Sequence, residues 1–170
     1  MPVDPPIRTA PSPPPDLLRV GVLSDTHGYL HPQIASALQG VHRIIHTGDI
    51  ESPEILTALA QMAPLSPIRG NMDFGDWAAA LPTEDFIEMG NILIYALHDL
   101  TRITLDPEAA GIRVILSGHT HQPQARWQGD RLYLNPGSAS LPRHGLAPSV
   151  AILEINGARI AYRIIELAPL

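Results

Sequence analysis

Residues 20–28 read Val20-Gly21-Val22-Leu23-Ser24-Asp25-Thr26-His27-Gly28. A short apolar, β-branched run fits a buried strand. It breaks off into small and polar residues that a strand interior would not carry. The same change recurs four more times along the chain. Ile44-Ile45 leads into His46-Thr47-Gly48-Asp49, and the run ending at Ile68 leads into Arg69-Gly70-Asn71-Met72-Asp73. Ile92 to Leu97 leads into His98-Asp99, and Ile112 to Leu116 leads into Ser117-Gly118-His119-Thr120-His121. In open α/β sheets, ligands bind outside the carboxyl ends of the strands. Five such ends carrying donor side chains point to one shared rim.

Between these ends the chain alternates strand and helix. Leu17 to Leu23 predicts a strand, residues 30–39 a helix and Val41 to Ile45 a second strand. Ser52-Pro53 opens a helix over 53–62, with Ser as N-cap and Pro at the first helical position. Ile55, Leu56, Leu59 and Met62 follow the 3–4 spacing of its buried face. Leu65 to Ile68 is a third strand, and this order implies parallel pairing through right-handed crossovers. Residues 74–80 allow one or two helical turns, and 83–89 pairs with 91–97 about Gly90-Asn91. Pro107 to Ala110 begins a short helix, and Ile112 to Leu116 is a buried strand. Strands over 124–128, 131–134, 149–155 and 158–165 follow, with turn signals at Gly129-Asp130 and Asn156-Gly157. An α/β first half and a mostly antiparallel second half fit a two-sheet α/β sandwich. Residues 17–170 form a single domain on this reading. Residues 1–16 hold seven of the eighteen prolines and read as a flexible tail.

Composition narrows the chemistry. The 170 residues carry eleven basic and seventeen acidic side chains, a net charge of −6, and every basic residue is Arg. A net-acidic chain without a basic run lacks the footprint of a dedicated duplex nucleic-acid binder. With no Cys, thiolate zinc sites, iron–sulfur clusters and a Cys nucleophile are excluded. No apolar run reaches the ~18 residues of a membrane span, and the N-terminus does not read as a signal peptide. The expectation is a cytoplasmic protein.

The eight His residues then stand out. Asp25-x-His27 and His119-x-His121 each place two donors on one side of an extended segment. Any one cluster has an ordinary explanation as a turn or a satisfied core histidine. Their conjunction does not. Asp25, His27, Asp49, Asn71, His98, His119 and His121 supply oxygen and imidazole donors suited to Mn, Fe, Zn, Ni or Mg. Seven donors exceed one tetrahedral ion and fit two ions sharing a carboxylate, each with an open position. Gly48, Gly70 and Gly118 precede three of the clusters and would permit sharp exits from the strands.

These motifs, with Asn135-Pro136-Gly137-Ser138 and Pro142-Arg143, resemble those of the calcineurin-like metallophosphoesterases. The likeness is strongest to the small single-domain bacterial and archaeal phosphodiesterases, to which a retromer subunit is related. The resemblance implies a four-layer αββα sandwich with the site at the carboxyl rim. It implies two divalent ions per chain, Mn first and Ni, Fe, Zn or Mg as alternatives. One ion would take Asp25, His27, Asp49 and His121; the other would take Asp49, Asn71, His98 and His119, with Asp49 bridging. The implied activity is a phosphodiesterase acting on a phosphate ester by in-line attack of a hydroxide bridging the ions. A phosphomonoesterase and a catalytically inactive metal-binding scaffold are the alternatives, and self-association into a homo-oligomer is common in the family. Met72 departs from the pattern, because most of the superfamily has a leaving-group His there. That leaves Asp73 or a metal-bound water as the acid. His98-Asp99-Leu100 lacks a second His that the branch often carries. Asn71 and Arg143 are expected to contact substrate, Arg69 less so. Asn135 and Ser138 are expected to fix the neighbouring loop, and His46 to orient Asp49.

Overall fold

The computed structural model describes residues 16–169. The expected tail, residues 1–16, therefore lies outside the described residues except for Asp16. The elements in chain order are β1 (Leu18–Leu23), α1 (Ile34–Ala37), β2 (Arg43–His46), α2 (Pro53–Ala60), β3 (Leu65–Pro67), α3 (Asp76–Ala79), β4 (Glu84–Met89), β5 (Ile92–Leu97), a 3₁₀ turn (Leu100–Arg102), β6 (Val114–Leu116), β7 (Pro123–Gln128), β8 (Arg131–Pro136), β9 (Ser149–Asn156) and β10 (Arg159–Glu166). They build two five-stranded sheets, ordered β10-β9-β1-β2-β3 and β4-β5-β6-β8-β7.

Strand alternation sorts the apolar side chains into layers. Val20 and Val22 of β1 face Ile92, Ile94 and Ala96 of β5 across a core between the sheets, joined by Ala151, Leu153 and Ile155 of β9. The opposite face of the first sheet, through Leu23, Ile44, Val150 and Ile152, packs on Ile34 and Leu38 and on Ile55 and Leu59 of α2. The opposite face of the second sheet buries Tyr95, Leu97 and Ile115 beneath Leu100, Ile103 and Leu105. The result is an α/β sandwich of four layers, its outermost layer reduced to a 3₁₀ turn and loop. Each fully buried Leu, Ile or Val contributes ~1.5–3 kcal/mol of transfer free energy. Among the described residues no helix is long and apolar enough to cross a membrane.

Several local expectations need correction. The helix over 30–39 is one turn: two i→i−4 bonds, from Ala37 and Leu38, give way to i→i−3 bonds from Gln39 and Val41. The helix beginning at Ser52 ends at Ala60, and Met62 is 39% exposed. Its N–H tightens onto Leu59 O at 3.0 Å, which turns the side chain off the buried face. Residues 107–110 form a turn that Gly111 closes at φ +70°. The second half is mostly antiparallel, as expected, through β4–β5, β7–β8 and β9–β10, but it also holds parallel pairs. β5, β6 and β8 pair in parallel, while β9 and β10 return to the first sheet with β9 antiparallel to β1. The other strand pairings follow the sequence, including parallel β1–β2–β3.

Candidate metal centre

The rim forms because the loops after β1 and β2 zip together beyond the strands. Asp25 N–H donates to Gly48 O (3.0 Å), His27 N–H to Asp49 O (3.0 Å) and Gly28 N–H to Ile50 O (2.8 Å). From the second sheet, Gly118 N–H reaches His98 O at 2.9 Å, and His119 N–H donates to Asp25 Oδ2 at 3.1 Å. The geometry requires unusual backbone. Asp25, His27, Asp49, Glu51, His119 and His121 all have φ between +46° and +69°. Left-handed backbone at a side chain with a Cβ costs on the order of 1–3 kcal/mol and persists where the surroundings over-determine it.

Two donor groups result, each with ligand atoms within 4.8 Å of one another: Asp25, His27 and His121, and Asp25, Asp49 and His98. The shared carboxylate is thus Asp25. His119 is in neither group. Its Nδ1 lies 3.0 Å from Asn71 Oδ1, and its ring stands edge-on to His98 with centroids 5.2 Å apart.

Three imidazoles have their tautomers set from behind. His27 Nδ1–H donates to Glu51 Oε1 (2.6 Å), His121 Nδ1–H to Leu141 O (2.6 Å) and His98 Nδ1–H to Thr47 O (2.7 Å). In the neutral ring each Nε2 is then a lone pair aimed inward. Those lone pairs meet other acceptors. His27 Nε2 and His121 Nε2 are 3.1 Å apart, His121 Nε2 is 3.3 Å from Asp25 Oδ1, and His98 Nε2 is 3.3 Å from Asp49 Oδ2. Asp25 Oδ1 and His98 Nε2 are fully buried and have no partner at hydrogen-bonding geometry. Buried acceptors facing one another at these distances form the surroundings that a shared cation satisfies.

The electrostatics carry the same message. The Asp25 carboxylate raises the His121 pKa against the opposing effect of burial. Burial lowers that of His98, but Asp49 outweighs it and the net shift is upward. Burial would raise Asp49, yet His98 and the Met72 N–H hold it below the usual carboxylate range. A bound metal ion replaces the proton in this logic. The donor set and its buried, unpartnered atoms therefore fit divalent metal.

The supporting residues divide differently from expectation. Asp73 is no proton donor at the rim. Its buried carboxylate accepts four backbone N–H groups, from Ile50 and Glu51 at Oδ1 and from Asp49 and Gly70 at Oδ2. It braces the Asp49 loop. His46 is fully buried, but it contacts Thr26 Oγ1 (3.0 Å) and the Gly48 N–H (3.1 Å) rather than the Asp49 carboxylate. Burial drives its pKa down to about 3, so the ring is neutral. Asn135 does fix the loop, donating to Gly118 O and Thr120 Oγ1, and Ser138 Oγ donates to Asp25 O at 2.7 Å. Gly48 does permit a sharp exit, at φ +106°, whereas Gly70 and Gly118 matter for close approach. A Cβ on Gly70 would lie 2.1 Å from Asp49 N, and one on Gly118 would lie 1.9 Å from Ser24 Oγ.

Asn71, His98 and His119 line a cleft of about 740 Å³ together with Arg69, whereas Arg143 is exposed and its charge opposes protonation of His121. The residue missed by sequence reading is Glu51. Its signal was modest: a second acid two positions after Asp49. Leu141 and Thr47 act through backbone carbonyls and leave no trace in side-chain identity.

With this geometry in view, comparison with known proteins is informative. Residues 18–158 match the calcineurin-like phosphoesterase superfamily domain. A probable metallophosphoesterase of Methanothermobacter thermautotrophicus is 34% identical over 159 residues, covering 86% of this chain and 91% of its own. A phosphodiesterase of Methanocaldococcus jannaschii is 26% identical over 156 residues, covering 81% and 93%. The zinc-complexed Vps29 of Entamoeba histolytica superposes with a TM-score of 0.68 at 21% identity, covering 88% of this chain and 99% of that one. The chain belongs to the calcineurin-like phosphoesterase superfamily.

Proposed function

We propose that the protein is a phosphodiesterase dependent on two divalent metal ions, manganese first among them. Asp25, His27, Asp49 and His121 would hold one ion, and Asp49, Asn71, His98 and His119 the other, with Asp25, common to both donor groups, within reach of the second as well. Bound there, the ions would acidify water and neutralise charge on the phosphoryl oxygens. The chain's own residues set the rest. Glu51, Leu141 and Thr47 fix three imidazole tautomers, and Asp73 and Ser138 hold the strained loops in place. Asn71, in the wall of the larger cleft, and Arg143 would meet the ester's oxygens. Met72, exposed at the rim, can neither give nor take a proton, and Asp73 is occupied as a brace, which would leave water in the site as the acid for the leaving group. A relative named a phosphodiesterase supports the choice over a monoesterase.

The observation that carries this reading is the pair of buried, unpartnered atoms, Asp25 Oδ1 and His98 Nε2, aimed into one donor cluster. The test strips the protein with chelator and titrates Mn back against bis(4-nitrophenyl) phosphate and 4-nitrophenyl phosphate. Turnover should return with Mn, favour the diester and vanish in Asp49→Asn. Preference for the monoester would reassign the substrate class. Metal bound near two per chain without turnover of either ester would instead favour a scaffold.

A further inference from the structure

Two cavities open at the rim, and they share Asp99 and His119 as their common wall. The larger, of about 740 Å³, lies toward β4 and β5. The smaller, of about 310 Å³, lies toward β6, β8 and β7. Because His119 stands between them, a phosphate held at the donor cluster would send its two substituents in opposite directions.

The cavities differ in chemistry. Arg69 and Arg102 line the larger one, together with Thr83 and Thr104. Two acids also line it, but both are engaged: Glu84 accepts the Tyr95 hydroxyl, and Asp99 Oδ1 accepts the Thr101 N–H and hydroxyl. Arg102 lies 3.8 Å from Asp99, at the limit of an ion pair. Arg69 is half-buried, its backbone N–H is bonded to Pro82 O, and its guanidinium meets no carboxylate among the described residues. A partly desolvated guanidinium facing a cleft is a ready partner for phosphate or carboxylate. The smaller cavity has Leu100, Leu134 and Tyr133 in its wall, with the Arg126 guanidinium 4.1 Å above the Tyr133 ring. That cation is already stacked on a π-face, and the space is that of a single ring.

We propose that the ligand is a phosphodiester with unequal arms: one carries a second phosphate that docks on Arg69 and Arg102, and the other is an uncharged ring seated against Tyr133. This rests on the phosphodiesterase reading, and it narrows the substrate to nucleotide-like diesters bearing a further phosphate.

The test measures binding to the full-length, Mn-loaded chain by calorimetry. Thymidine 3′,5′-bisphosphate and thymidine 5′-monophosphate differ only by the second phosphate. The bisphosphate should bind about tenfold more tightly. Arg69→Ala should cut that advantage to about threefold or less, Arg69→Lys should restore part of it, and Arg159→Ala on distant β10 should keep all of it. Equal affinities in the unmutated protein, binding of neither nucleotide, or an advantage indifferent to both Arg69→Ala and Arg102→Ala would overturn the proposal. Turnover of thymidine 3′-phosphate 5′-(4-nitrophenyl phosphate) is followed in parallel. An Arg69-dependent binding advantage without turnover would uphold the second-phosphate site while sinking the catalytic reading.

Discussion

The two sides of the donor cluster are built to different standards. On one side, Asp25, His27 and His121 have side chains between 0 and 12% exposed, and all three sit on left-handed backbone. Both rings are tied from behind, by Glu51 and by Leu141 O. On the other side, beyond the buried Asp49, only the His98 ring is buried and braced in this way. Asn71 and His119 are exposed; their side chains meet each other, and the His119 ring also stands edge-on to His98, but no backbone group fixes either from behind as Thr47 O fixes His98. Ligands locked by packing lose little entropy on binding metal, whereas exposed ones must be ordered first. The buried side should therefore hold its ion tightly, and the exposed side should hold a weaker ion next to the substrate clefts.

The largest effect should come from the residue that belongs to both groups. Asp25→Asn removes a buried carboxylate facing His121 and lying in the second group as well. We expect loss of both ions by elemental analysis and a fall in diester turnover of about 10³-fold or more. Retention of one tightly bound ion in that variant would break the comparison, because Asp25 would then serve one side alone.

Next in size are the separate perturbations of the two sides. Calorimetric titration of Mn into metal-free protein should resolve two steps separated by about tenfold or more in affinity. Glu51→Gln should weaken the tighter step by about 10–100-fold, the usual cost of losing a residue that orients a histidine ligand. His119→Ala should remove the weaker step and leave the tighter one. Should Glu51→Gln shift the weaker step instead, the unequal bracing would not be what ranks the two sites.

The same inequality explains what the sequence could disclose. The donor side chains at strand ends were legible, since each interrupts an apolar run: Asp25 after Leu23, His98 after Leu97. The parallel β1–β2–β3 unit and the hairpin about Asn156-Gly157 were legible for the same reason, as period and turn chemistry are local. What holds these donors was not. Glu51 is an acid in a loop until φ +62° turns it toward His27, and Leu141 matters through its carbonyl. Asp73 sits among the motif residues and reads as chemistry, yet four backbone N–H groups make it a brace. Nor could local pattern show that β9 returns beside β1, because that pairing joins segments over a hundred residues apart. The short helices escaped too: a 3–4 spacing marks a buried face, but tightening at Gln39 and at Met62 depends on backbone bonds that spacing does not encode.

His46 offers the finest test, because its ring lies beneath the better-built side. It touches Thr26, between Asp25 and His27, and the N–H of Gly48, just before Asp49. Burial lowers its folded pKa to about 3, against 6.5 for a free ring. Between these values the unfolded chain binds the extra proton and the folded chain does not. Stability from this group is therefore present above pH 6.5 and is lost as pH falls, at up to ~1.4 kcal/mol per pH unit. His98 and His121 run the other way. Their raised values favour the metal-free fold at pH below 6.5, and that contribution fades as pH climbs through them. In chelator, denaturant unfolding of the parent chain from pH 6.5 down to 4.5 should thus show a loss that His46→Gln makes shallower by about 1.4 kcal/mol per unit at most. Equal slopes in the two proteins would mean that the ring takes up its proton in the folded state. The buried side would then be wetter and looser than its neighbour's exposure suggests, and the difference between the two sides would rest on Glu51 and Leu141 alone.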